Sequence, residues 1–432
     1  MQPQAISRPS FLQDGDHQRS DVQDFAPIAL ARRLAERICD TSLRARDGSI
    51  GWVGPHNPGA SDVVQLRAIG PQLYGGSLGI ALFLAALEHV ESIADRRDFV
   101  LELLTPIRSR MRALHEDPVR ASSLRLGIGG FQGLSSISYG FARIGHWLEI
   151  PELLEEALSV VSLITLERVS QDTALDVVGG SAGAILALLT VDELTAANQS
   201  AQSVSALEVA TLCGEHLLMK RISADGQRTW LTLPQKPPLA GFAHGLAGIT
   251  HALFRLTART GEDQFGQAAE EGVIFENTYY VPAHRNWQDA RSVNARFPCG
   301  WCYGAPGIAL GRVASTQFSD YPRLREDAAN GLITTAESAP GRLDHLCCGN
   351  MGRAEILNFA GAKERRPELL EAARKIVASC IGRSETSGDF QWVLPESENP
   401  FDPSLLTGAA GVGYALLRLQ DPAKLPCILA LE

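Results

Sequence analysis

The chain has 432 residues, 45% of them hydrophobic and 20% charged, which suits a large buried core and excludes disorder over most of its length. Its net charge of -10 and pI near 5.6 argue against a nucleic-acid partner, which needs a basic face to replace phosphate counterions. The N-terminus lacks an apolar secretory segment, and the longest aliphatic or aromatic run, Ile80 to Leu87, falls far short of the ~20 residues that span a bilayer. A cytoplasmic protein with no membrane span is expected.

Residues 1 to 25 show no apolar periodicity and are predicted to be a flexible tail; residues 26 to 432 are predicted to form one large domain. From Pro27 the pattern turns helical, with Ile28, Leu30, Leu34, Ile38 and Leu43 on one stripe and Arg32, Arg33, Glu36 and Arg37 on the other side. A four-residue frame, Gly-x-x-Gly, then recurs before apolar segments. Its first glycines are Gly76, Gly130, Gly180, Gly245, Gly304, Gly349 and Gly408, spaced 45 to 65 residues apart. Between the frames lie amphipathic segments with helix-start signals, such as Pro151-Glu152-Leu153-Leu154-Glu155 and the identical pentapeptide Pro367-Glu368-Leu369-Leu370-Glu371. Charged-face helices thus alternate with glycine-headed apolar helices. The predicted fold class is all-α: an α/α toroid, or double ring, of seven helical hairpins whose apolar members form the inner ring. Thr229 to Leu233 and Phe390 to Leu394 are β-prone and are predicted to form small hairpins in the connections.

The reactive residues crowd at the heads of the frames. Cys302 precedes its frame by two residues, Cys347 and Cys348 precede theirs by two and one, His244 by one and Asp176 by four. A ring would gather these loops over a common mouth, where helix N-termini favour thiolates and other anions. In a reducing compartment the eight cysteines read as core filler or metal ligands rather than as a disulfide framework. Cys302, Cys347 and Cys348 could offer zinc three thiolates and leave the fourth position to water or substrate. Cys299-Gly300-Trp301-Cys302 is also a C-x-x-C, so the spacing leaves open a closed, structural four-cysteine site. At such a mouth His244 is either a general acid or base or a helix cap, Asp176 either orients it or caps a helix, and Tyr303 is either a hydrogen-bond donor or packing. His251 reads as a packed or surface residue.

Seven glycine-framed hairpins carrying, in order, Ala243-His244-Gly245, Trp301-Cys302-Tyr303-Gly304-Ala305-Pro306-Gly307 and Cys347-Cys348-Gly349 resemble the lanthionine cyclases. The chain is most similar to the C-terminal cyclase domain of the class II lanthipeptide synthetases, over roughly residues 27 to 432. The resemblance implies an α/α toroid with zinc at one mouth, adding cysteine thiols of a ribosomal precursor peptide to dehydroalanine or dehydrobutyrine to form (methyl)lanthionine rings. It makes Cys302, Cys347 and Cys348 the zinc ligands, His244 the acid/base, Asp176 its neighbour and Tyr303 adjacent, and it leaves Cys299 out. Two departures stand out. Many members carry Cys-His-Gly where this chain has Cys347-Cys348-Gly349, so three thiolates replace two thiolates and an imidazole, and a substrate thiolate there is expected to be more nucleophilic. No segment has the length of a dehydratase domain, so either a separate dehydratase supplies the dehydrated precursor peptide or this is a cyclase domain alone; Met1 and the loose tail favour a free-standing protein. Some relatives place an arginine shortly before the first cysteine, for which Arg296 is the nearest residue here. The competing readings are a toroid that binds a peptide or a dehydratase around a structural four-cysteine zinc, a relative that adds a small-molecule thiol to dehydrated residues, and a carbohydrate-active toroid. The last needs paired acids and an aromatic platform, and only Asp176 stands out.

Overall fold

The seven apolar segments that follow the glycines are helices in the computed structural model, which describes residues 27–56, 64–93, 95–123, 125–196, 204–393 and 399–432. The expected tail, residues 1 to 25, lies outside the described residues. The inner helices are Ser77–Glu91, Leu134–Trp147, Ser181–Thr195, Leu246–Thr260, Ala305–Ser315, Asn350–Lys363 and Ala409–Gln420. They are apolar almost all round, and Ile80 to Leu87 is wholly buried, as expected of helices with no solvent face. Each packs against its two ring neighbours, and Ala409–Gln420 returns to Ser77–Glu91, so the inner ring is closed.

Six outer helices follow their inner partners in sequence: Arg97–Glu116, Pro151–Val161, Ala206–Met219, Asp263–Glu276, Pro322–Glu337 and Pro367–Ser387. The seventh outer helix is the first in the chain. Pro27–Asp40 packs on Ala409–Gln420, so its buried stripe, Ala31, Leu34, Ala35 and Ile38, completes the last repeat. That pairing explains why the final repeat has no polar face of its own. Residues Ile428 to Leu431, all fully buried, fill the space between the inner helices, where Leu429 O accepts from Trp301 Nε1 (3.1 Å) and Leu431 O from Thr190 Oγ1 (2.7 Å).

The glycine frame has a steric cause. No inner helix is capped by the side chain of its own N-cap residue; first-turn N–H groups donate instead to the carbonyl seven residues back, as in Ser77 to Gly70, Ala182 to Leu175, Asn350 to Leu343 and Ala409 to Asp402 (2.7 to 3.1 Å). The loop therefore wraps closely round the helix start. At the second glycine of six frames a Cβ would fall 1.8 to 2.3 Å from the carbonyl oxygen six residues earlier, for instance 1.8 Å from Val177 O at Gly183. Only Gly304 also needs the left-handed region, with φ 90°. Gly183→Ala is therefore expected to lower the unfolding free energy by about 3 kcal/mol through overpacking. Gly382→Ala, in an outer helix where a Cβ meets nothing within 4 Å, should instead raise it by ~0.5–1 kcal/mol; urea titrations of the two variants check the contrast in sign.

The second frame is read wrongly from the glycines alone. Its helix starts at Leu134 with Gly133 as the N-cap residue. Gly133 therefore corresponds to the first glycine of the other frames, and Ser136 occupies the second position. Gly130 is needed for another reason: a Cβ there would sit 2.5 Å from Leu431 Cδ1 and 2.6 Å from Gly183 O.

Among the described residues, strand is limited to four two-stranded antiparallel pairings. Of Thr229 to Leu233, only Thr229 is in a strand, paired with Ile222; Trp230 turns inward, fully buried, with Nε1 on Leu217 O. Phe390 to Val393 forms no strand. Side chains carry the bonds a ladder would make: Asp344 Oδ2 accepts Gln391 N, and Asn399 accepts from Trp392 N and donates to Phe390 O. Leu394 lies outside the described residues. No helix among the described residues is long and apolar enough to cross a membrane.

Candidate metal centre

The seven loops at the helix heads are joined to one another by backbone hydrogen bonds. Tyr74 N donates to Phe131 O, Phe131 N to Val178 O, Val177 N to Ala243 O, Phe242 N to Trp301 O, Trp301 N to Cys347 O, Cys347 N to Leu406 O and Leu406 N to Tyr74 O, at 2.9 to 3.4 Å. The circle is closed. Beneath it Trp301 packs against Phe131 and Phe242, with ring centroids 5.3 and 6.1 Å apart. Buried carboxylates fix individual loops: Asp172 holds the loop of Asp176 through Ala174 N and Ser181 N, and Glu276 holds that of His244 through Gly241 N and Ala247 N. Glu276 in turn pairs with buried Arg312 at 2.5 Å.

On this belt the two positions before the N-cap glycine carry the reactive side chains. Cys302 and Cys347 share the first of them and Cys348 has the second. Their three sulfurs lie within 4.8 Å of one another, with Cys302 and Cys347 at 2.8 Å and Cys347 and Cys348 at 3.4 Å. Sulfurs bound at ~2.3 Å to one tetrahedral ion stand ~3.8 Å apart, so this set fits zinc with little movement. Cys302 and Cys347 are buried and Cys348 is open to solvent. The thiols of Cys302 and Cys347, hydrogen-bonded to Cys348, hold its thiol well below the usual range, with His345 and His244 adding to the effect. One thiolate is thus favoured even without a cation. The group has no fourth protein donor among the described residues. Cys299, which pairs with Gly304 through the backbone, stays outside it.

His244 and Asp176 meet directly. His244 Nδ1 lies 2.6 Å from Asp176 Oδ2, and Asp176 Oδ1 accepts from Gly179 N at 2.7 Å. Asp176 is buried, whereas the imidazole keeps 27% of its surface exposed, enough for a substrate to reach. An ionised carboxylate only accepts, so the proton sits on Nδ1 and Nε2 is the nitrogen left for chemistry. Asp176 makes no side-chain cap to its helix. Tyr303 stacks on His244 at 5.7 Å, and the Arg291 guanidinium lies 3.4 Å from the Tyr303 ring centre. Burial pushes the Tyr303 phenol up, so it stays protonated. His251 is buried and bonded to Ser315 Oγ; burial pushes it down to about 3, which removes it as a proton donor.

Two residues beside the centre were not legible as such. Tyr74 donates its hydroxyl to Cys347 Sγ at 2.9 Å, and burial keeps the phenol protonated. It stands two residues before Gly76, as Cys302 and Cys347 stand before their own glycines, and that shared offset is the signal that could have found it. The arginine beside Tyr303 is Arg291, held by both carboxylate oxygens of Asp289 at 2.9 and 2.8 Å, while Arg296, the nearest arginine before Cys302, is exposed.

A closed α/α toroid with three thiols and a His–Asp pair at one mouth defines a narrow class of protein. The family model for lanthionine synthetase C-like protein matches residues 68–430, and the chain belongs to that family. It is 23% identical over 194 residues to the lacticin 481/lactococcin biosynthesis protein LcnDR2 of Lactococcus lactis subsp. lactis, a match covering 42% of this chain and 21% of that relative. The match thus takes in about a fifth of that protein's length. The fold is similar to that of nisin cyclase, with a TM-score of 0.60 at 18% identity over 83% of this chain and 92% of the other. An unsaturated glucuronyl hydrolase specific for heparin is more remote, with a TM-score of 0.46 at 11% identity over 76% and 86% of the two chains.

Proposed function

We propose that this protein is a zinc-dependent cyclase that closes lanthionine or methyllanthionine rings in a dehydrated precursor peptide. The observation that carries this reading is the three-sulfur cluster, with no fourth protein donor among the described residues, on the same rim as a His–Asp pair. Zinc held by Cys302, Cys347 and Cys348 would supply acidification of the substrate cysteine, so that it attacks as thiolate. The new C–S bond forms at the β-carbon of dehydroalanine or dehydrobutyrine. The π electrons move toward the α-carbon and its amide carbonyl, and His244 Nε2 delivers the proton to the α-carbon. Asp176 keeps the imidazole turned, and Tyr303 and Arg291 pack beside it. The thiol hydrogen is replaced by the carbon bond, one proton is returned to the α-carbon, and the peptide's mass does not change.

The protein is proposed to act in the cytoplasm on a peptide dehydrated by a separate protein. X-ray absorption at the zinc edge tests the open site. Three sulfur neighbours and one lighter atom are expected, rising to four sulfurs when a cysteinyl peptide is added. Four sulfurs in the protein alone would mean a closed structural site and a binding scaffold. Tyr74 carries a second test. Its hydroxyl removes charge from Cys347, a bond worth ~1.5–3 kcal/mol to a charged acceptor. Tyr74→Phe is expected to keep one metal per chain while moving the sulfur-to-metal charge-transfer band of the cobalt-substituted protein to lower energy.

A further inference from the structure

The His244 side of the mouth accounts for loops three to five and the thiols for loops five and six, and apart from Tyr74 loops seven, one and two carry no residue of that centre. They border a cavity of about 780 Å³ that includes Tyr74, Gly75, Gln132 and Thr407 in its lining. Tyr74 belongs to both places, because its hydroxyl touches Cys347 while its body lines the cavity. The cavity therefore adjoins the thiol cluster, with Tyr74 between the two. We propose that it is the substrate groove: it binds, in extended form, the stretch of peptide next to the reacting cysteine, and it favours a stretch carrying carboxylates. This rests on the cyclase reading and adds the substrate's chemical class.

Three observations support the assignment. The volume lies within the ~300–1,000 Å³ of sites that enclose small ligands or short segments. Gly75 stands at the belt position that carries His244, Tyr303 and Cys348 in other loops, yet a Cβ there would meet nothing within 4 Å. The floor beside the thiols is thus open at the place where three other loops put a functional side chain. The far wall is the hairpin Val53–His56 with Gln65–Ala68, a two-stranded sheet whose outer edge offers backbone groups to an extended chain. Gly54 pairs with Arg67 and His56 with Gln65, which puts Arg67 and His56 on one face of it. Both are exposed and both line the cavity. The acid in the lining, Asp402, is 4% exposed, and its oxygens are taken by Ser404 N (2.9 Å) and Thr407 Oγ1 (2.8 Å). Among the described residues of the lining, the formal charge that faces solvent is that of Arg67.

The test uses the zinc-loaded full chain and a dye-labelled hexapeptide, acetyl-Cys-Ala-Glu-Ala-Glu-Lys(dye)-amide, read by fluorescence anisotropy. A second peptide has Gln for both Glu, and a third has Ser for Cys. The Glu peptide is expected to bind about tenfold more tightly than the Gln peptide. Gly75→Leu, whose Cβ would meet nothing within 4 Å, should weaken both by about tenfold or more at unchanged zinc content and circular dichroism. Arg67→Glu should abolish or reverse the preference for Glu. Unchanged binding to Gly75→Leu, equal binding of the Glu and Gln peptides, or no binding of the Glu peptide at millimolar protein would each overturn the assignment. The Ser peptide separates the two readings. Equal binding of Cys and Ser peptides with the Gly75 and Arg67 effects intact would count against the metal-thiol reading and leave the groove standing. Loss of those effects with the Cys preference intact would do the reverse.

Discussion

His244→Asn is expected to slow ring closure by about 10²–10⁴-fold, the range that a positioned general acid contributes, while leaving zinc bound. Asn keeps a polar side chain of similar reach but has no proton to give near neutral pH. The geometry makes this more than a generic expectation. The 2.6 Å contact of Nδ1 with Asp176 fixes the tautomer, and Asp176 is itself fixed by Gly179 N. Asp176→Asn should therefore lower the rate in the same direction without moving zinc affinity, because an amide no longer dictates which nitrogen carries the hydrogen. Rates taken from loss of peptide thiol, with zinc measured in parallel, check both. A variant that lost zinc as well would show that His244 holds the centre together instead.

Cys302→Ala and Cys347→Ala are expected to bring ring formation to background through loss of the metal. Structural zinc sites bind with ~10–16 kcal/mol, so removing one of a few thiolates should weaken zinc by about 10²–10³-fold or more. Both sulfurs are buried and touch each other, so no water-exposed rearrangement replaces either. Cys348→Ala should act in the same direction, whereas Cys348→His, which restores a ligand with one charge less, should retain zinc and add thiols more slowly. Cys299→Ala should retain both zinc and rate. Zinc per chain in the five variants reads this directly. Loss of zinc in Cys299→Ala would revive the closed four-cysteine site.

The ring of helices was legible because its cause is local: a glycine where a Cβ would strike a carbonyl, followed by a run with no polar side. The thiols were legible because their offset from those glycines repeats. What escaped depends on contacts across the ring. Tyr74 shares with Cys302 and Cys347 the offset from its glycine, but its bond to Cys347, 273 residues away, exists only once the ring closes. Gly130 mimics the first glycine of a frame, although its small size is required by Leu431 and Gly183. Pro27–Asp40 looked like a leading helix and is the outer partner of Ala409–Gln420. Arg291 lies over Tyr303, twelve residues on, and is held there by Asp289. Phe390 to Val393 has strand-like composition, yet Asp344 and Asn399 side chains take its backbone bonds. Propensity is silent about such partners.

The most direct measurement is mass spectrometry of a peptide containing one cysteine and one dehydroalanine, before and after incubation with zinc-loaded protein, with a thiol-alkylating reagent added at the end. A metal-dependent cyclase predicts an unchanged mass that no longer accepts the alkylating group, with alkylation restored when zinc is removed or Cys302 is replaced. A peptide that stays fully alkylatable, or that gains the mass of an added small thiol while keeping its own cysteine free, would contradict the account.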